Sequence, residues 1–199
     1  MRFIIPRFPA RIGLVLAGAL VPAIGLAQKA ATPSAVPARS VAVLDVALYT
    51  AGANTQEATD TSMAALGTRI LRGKLSELLG AALLDSTAIA GQASTPAALT
   101  LAGGSPCNVI VACAKMVGHQ LEASWVVMAK VSKTSNLIWL LTGQLIDLKT
   151  GKIVMDDTTE LKGDPGPMVR AGVRIFAERV ARTVARGSEG AGAPLATPR

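Results

Sequence analysis

Residues Ser124 to Leu161 read SWVVMAKVSKTSNLIWLLTGQLIDLKTGKIVMDDTTEL. Three apolar segments are joined here by two short polar links, Thr134-Ser135-Asn136 and Lys149-Thr150-Gly151-Lys152. Gly151 stands where a tight reversal needs a residue at positive φ. The outer segments are rich in Val, Ile, Met and Thr, and the middle one carries apolar residues on both faces. This pattern predicts an antiparallel meander whose central strand is covered at least in part on both sides.

Working outward, VAVLDVALY at Val41 to Tyr49 is a nearly continuous apolar run of strand length, interrupted by Asp45. It suits a central strand, with Asp45 as a carboxylate at a strand end or, on a sharper reading, a site residue. Thr61 to Ala82 places Met63, Leu66, Ile70, Leu71, Leu75 and Leu78 at helical spacing, with Asp60 as N-cap and Arg69 and Arg72 opposite. Lys74 falls inside the apolar arc, its stem laid on the core and its head in water. Leu83 to Thr87 reads as a short second strand. Ala88 to Pro106, rich in Ala, Gly, Ser and Thr, reads as a loop with one helical turn after Pro96. Asn108 to Gln120 suits a short helix, capped by Asn108 and ending near Gly118. Met168 to Arg186 is the clearest helix, with Val169, Val173, Phe176, Val180 and Val184 along one face. The expected order is βαβαβββα. It describes a single-domain α/β sandwich of two or three layers with a mixed sheet, its first strands parallel and its last three joined by hairpins.

The chain has 199 residues, 50% hydrophobic but only 3% aromatic, so its core is expected to be aliphatic and poor in large binding anchors. At the amino terminus Arg2, Arg7 and Arg11 precede the apolar run IGLVLAGALVPAIGLA, and Gly25-Leu26-Ala27 forms a small-x-small exit before Gln28. Residues 1–27 therefore read as a cleaved secretory signal peptide, with an uncleaved anchor as the competing reading. Losing the three arginines lowers the formal charge from +7 to +4, which removes the argument for nucleic acid that the raw charge makes. Residues 28–40 read as a flexible linker, 41–186 as the α/β domain and 187–199 as a disordered tail. The localisation expected from this layout is periplasmic.

Cys107 and Cys113 are the only cysteines. An even count in an exported chain favours a disulfide, with buried reduced thiols as the competing reading. On one helix the two would lie about 9 Å apart along the axis. A bridge therefore requires Cys107 in the loop, folded back on the helix that follows. His119, the single histidine, reads as a helix-end residue rather than an acid or base. Asp156, Asp157 and Glu160, with Asp147 across the hairpin, read as a charged strand edge and not as a metal site. Gly103-Gly104-Ser105 precedes a helix as an anion loop does, but lacks the lysine and glycine spacing of a phosphate loop. Arg170, Arg174 and Arg182 form a basic row on the last helix. That row is either a solvated face bridged by Glu178 or a docking surface for an acidic partner or an anionic surface.

The segments VAVLDVAL, CNVIVACAKMVGHQLEASWVVMAKVSK and NLIWLLTGQLIDLKTGKIV resemble an uncharacterised family of small secreted proteobacterial proteins over Val41 to Val180. The most specific parts are the cysteine pair and the Asp147 to Gly151 hairpin. More distantly, the element order is similar to the amino-terminal domain of TolB and to the curli-secretion lipoprotein CsgG, envelope proteins with an anticodon-binding-domain-like fold. The resemblance implies a periplasmic, non-catalytic module, and some relatives accompany periplasmic quinoprotein alcohol oxidation; from the residues themselves no cofactor and no metal is expected. The expected function is that of a binding or accessory protein with an envelope or periplasmic protein partner, with oligomer formation through an open strand edge compatible with it. A small-ligand-binding protein or enzyme with a site under the 88–106 loop is the alternative.

Overall fold

The sheet is built on the meander. β3 (Trp125–Lys133), β4 (Ile138–Asp147) and β5 (Lys152–Lys162) pair antiparallel in sequence order. Gly151 turns the second hairpin at φ +68. The computed structural model describes residues 40–49, 58–135 and 137–187, all within one compact unit, Ala35–Arg199. The expected leader, most of the linker and all but Gly187 of the expected tail lie outside the described residues.

On the other side of β3 the first apolar run pairs parallel to it, in two pieces, β1 (Val41–Val43) and β2 (Ala47–Tyr49). Val43 faces Val127 and Ala47 faces Lys130, so the first run uses one residue more than its partner and bulges at Asp45. The bulge has its own partners. Val46 N–H donates to Thr68 Oγ1 at 2.8 Å, and the Arg72 guanidinium donates to the Val43 carbonyl at 3.2 Å while pairing with Asp45 at 3.0 Å. The single strand expected over Val41 to Tyr49 is thus broken where its one charge falls.

Residue parity assigns the two sheet faces. Val41, Val43, Trp125, Val127, Trp139, Leu141 and Leu145 point towards α1 (Ala58–Leu79) and α5 (Pro165–Arg186). Ala42, Leu44, Val126, Met128 and Ile146 point to the other side, towards α2 (Ser86–Ala93), α3 (Pro96–Ala102) and α4 (Val111–Gln120). The fold is a mixed α/β single domain with helices on both faces of one sheet, as expected.

Glycine sets how closely the helices approach. A Cβ on Gly143 would lie 2.5 Å from the Phe176 ring, and one on Gly118 would lie 2.4 Å from Val126. α5 therefore lies its aromatic ring directly on β4, and α4 lies its backbone on β3. In α1 the buried stripe is Ala64, Gly67, Leu71 and Leu75; Leu78, expected in the core, is exposed.

Between α1 and α4 the structure corrects the expectation. The strand expected over Leu83 to Thr87 reduces to one parallel bridge between Val41 and Leu83, and Ser86 already opens α2. The Asp85 carboxylate accepts from Ala88 N–H at 2.9 Å, a capping geometry that favours helix over strand. The loop expected over 88–106 is mostly α2 and α3. α3 starts at Thr95-Pro96, where Thr95 Oγ1 accepts from Ala98 N–H, and ends on Gly103 at φ +59. The expected cap at Asn108 is not used: its amide donates instead to the Asp45 carbonyl at 2.7 Å, and Ile110 precedes α4 without a side-chain cap. Asp60 lies inside the first turn of α1 rather than at its cap.

Candidate functional site

Two helices with different periodic patterns meet on the α1/α5 face. α5 starts one turn before Met168, at Pro165, because Asp164 caps it by accepting from Gly166 N–H at 3.2 Å. Burial of Val169, Val173, Phe176, Val180 and Val184 then fixes its rotation and leaves Arg170 and Arg174 exposed along the side nearest α1. On α1, burial of Leu71 and Leu75 leaves Arg69, Gly73, Lys74 and Glu77 facing the same gap.

The result is an open groove of about 290 Å³ with Arg69 and Lys74 on one wall, Arg170 and Arg174 on the other, and Ile70 and Gly73 on the α1 side. Four cations meet one carboxylate: Lys74 Nζ pairs with Glu77 at 3.0 Å. Among the described residues neither Arg69, Arg170 nor Arg174 has an ion-pair partner. Glu178, expected to bridge its neighbours, makes no ion pair among the described residues; Arg179 instead pairs with Asp157 at 2.9 Å. Arg182 lies a helical third away from Arg170 and is absent from the groove lining. Sequence spacing on one helix groups Arg170, Arg174 and Arg182. The fold keeps the first two and adds Arg69 and Lys74, which periodicity within a single element cannot reveal.

This arrangement carries local costs. Like charges four apart on a helix are unfavourable by about 0.2–0.5 kcal/mol. A glycine in a helix interior is about 1 kcal/mol worse than alanine. Gly73 is inside α1, and a Cβ there would meet nothing within 4 Å. No internal packing accounts for the glycine.

The remaining candidates disperse. Cys107 and Cys113 are bonded, with Cα atoms 5.2 Å apart. Cys107 sits in a 3-10 turn, Cys107–Val109, folded back on α4, and Cys113 Sγ lies 3.3 Å from the Ala98 carbonyl. The bridge braces the α2–α4 layer and is remote from the groove lining. His119 is exposed in the last turn of α4. The acidic strand residues separate: Asp156 accepts from Gln144, Asp157 pairs with Arg179, Glu160 pairs with Lys162, and Asp147 accepts from Lys149 N–H and Thr150. No group of three His, Cys, Asp or Glu among the described residues could hold a metal ion. Gly103 and Gly104 close α3 rather than opening a phosphate loop. A second depression of about 140 Å³ lies where the sheet emerges from under α4, lined by Asn108, Val109, Met128, Lys130, Thr142 and Gln144. Beside it Lys130 Nζ sits 4.9 Å from the centre of the Tyr49 ring.

Fold and surface together define an α/β sandwich module with a cationic groove between the two helices of one face. The chain belongs to the family DUF3280, described as a protein of unknown function (DUF2380), whose model matches residues 39–180. A search of curated proteins gives no match. Among solved structures, the chain is similar to the LpoB carboxy-terminal domain from Salmonella enterica, at 19% identity over 65% of this chain and 87% of that one, TM-score 0.41. The LpoB carboxy-terminal domain from Escherichia coli is similar at 22% identity over 62% and 82%, TM-score 0.42. TolB from Acinetobacter baumannii is similar at 13% identity over 73% of this chain and 28% of that one, TM-score 0.40. These likenesses concern the fold alone. No helix among the described residues is long and apolar enough to cross a membrane.

Proposed function

We propose that this is an exported, periplasmic accessory protein of the cell envelope that works by binding a protein partner, without catalysis, through the groove between α1 and α5. The observation that carries this reading is the convergence of Arg69, Lys74, Arg170 and Arg174, from two helices, on a gap containing one carboxylate. Export is supported by the basic and apolar amino-terminal segment and by the Cys107–Cys113 bridge, which persists in an oxidising compartment. The test is affinity capture from a periplasmic extract with the wild type and with the double reversal R170E/R174E. Loss of the captured partner with retained folding is expected; equal capture by both sinks the reading.

The second reading, a small-ligand-binding protein, is supported by one detail. Asn108 Oδ1 is buried without a hydrogen-bond partner beside the depression of about 140 Å³. A role beside periplasmic quinoprotein alcohol oxidation belongs to this reading. A thermal-shift screen of small alcohols, aldehydes and polyols decides it: no shift abolished by N108A removes its support.

A further inference from the structure

We infer that the groove receives an extended acidic peptide segment of the partner, which crosses α1 directly over Gly73. The inference rests on the docking role proposed for this groove and adds the occupant and its path. Gly73 borders two depressions. One is the cationic groove; the other, of about 360 Å³, lies on the opposite side of the α1 ridge and is lined by Val43, Arg72, Ser76, Leu83, Leu84 and Asp85. The open space above the missing Cβ makes Gly73 the low point through which one chain can reach both.

The chemistry of the two sides sets the occupant. Arg69, Arg170 and Arg174 are unpaired among the described residues and carry guanidinium forks that match carboxylates in bidentate geometry. On the far side Leu83 and Leu84 are only half-buried, so a segment acidic at one end and apolar at the other matches the two halves. An extended backbone advances about 3.3 Å per residue and needs close approach at the crossing, which glycine permits. A membrane surface fits less well. The cations line the facing walls of a concavity and Glu77 lies among them, whereas a lipid headgroup plane meets cations that protrude.

Gly91 supplies the control. It is also helical, exposed, and open above its Cβ position, but lies in the last turn of α2 on the opposite layer. The experiment measures thermal unfolding of the wild type, G73A, G91A and R170E/R174E. It also measures fluorescence anisotropy with a labelled peptide Glu-Asp-Glu-Ser-Leu-Leu, its Gln-Asn-Gln counterpart, and phosphatidylglycerol vesicles. Both alanine variants are expected to raise Tm by about 2–4 °C, from helix propensity alone. Of the two alanine variants only G73A is expected to weaken the acidic peptide, by about tenfold, because the new methyl occupies the crossing.

Wild-type affinity in G73A, equal binding of the neutral peptide, or binding to vesicles in place of the peptide overturns the inference. If the peptide fails while R170E/R174E still loses its captured partner, the docking reading stands and the path over Gly73 falls. If the double reversal loses nothing, both fall.

Discussion

Lys133 Nζ lies 3.2 Å from Asp60 Oδ1, with the two side chains 10% and 3% exposed, and so ties the end of β3 to the first turn of α1. Sequence places Asp60 as a helix cap; the fold uses it to neutralise a lysine that the sheet buries. Breaking a buried ion pair by removing one of its members costs about 3 kcal/mol. Asp60→Asn is therefore expected to lower the urea midpoint markedly, while D60N combined with K133M recovers part of the loss. Equal midpoints for the single and double variants would show that the pair is not coupled.

The Phe176 ring on Gly143 is a contact between α5 and β4 with no slack. Gly143→Ala is expected to destabilise by about 1–3 kcal/mol through overpacking. Adding F176L should return part of that stability, although F176L alone lowers it. A calorimetric cycle over the four proteins checks the sign of the coupling.

The bridge between Cys107 and Cys113 closes a short loop, with a sequence separation of 6. Loop-closure entropy for so few residues amounts to about 2 kcal/mol. Reductant is expected to lower the Tm of the wild type and to leave that of C107S/C113S unchanged. Because the bridge sits in the α2–α4 layer, peptide capture by the opposite groove should survive reduction below the transition.

Arg72 makes two contacts of unequal worth. Its ion pair with Asp45 is largely solvent-exposed on the carboxylate side, whereas its bond to the Val43 carbonyl closes the strand bulge. Asp45→Asn is expected to cost at most about 0.5 kcal/mol and Arg72→Met about 1 kcal/mol or more. Chemical denaturation that ranks the two variants in reverse would assign the stabilisation to the ion pair.

Much of the fold is legible in the sequence because alternation and helical spacing report burial directly. The meander and the apolar stripe of α5 carry that signal; the break of the first strand at Asp45 does not follow from it, because the run stays apolar on both sides of that residue. Leu83 to Pro106 is harder: Ala, Gly, Ser and Thr give no strong period, so α2 and α3 announce themselves only through Asp85, Thr95-Pro96 and Gly103. Those are capping signals, readable once capping is weighed above composition. Half of the groove is legible, as Arg170 and Arg174. The other half is not, because Arg69 and Lys74 join them only through the packing of α1 beside α5. Arg182 shows the converse, a residue that spacing groups with the others and helical rotation carries away.

Trp125 and Trp139, the only two indoles, are 6% and 2% exposed and belong to the same cluster under α1 and α5. Intrinsic emission is therefore an optical gauge of the interior and nearly blind to the groove. Titrations followed by native fluorescence will look silent even when a ligand is bound, and an extrinsic label is required to see occupancy.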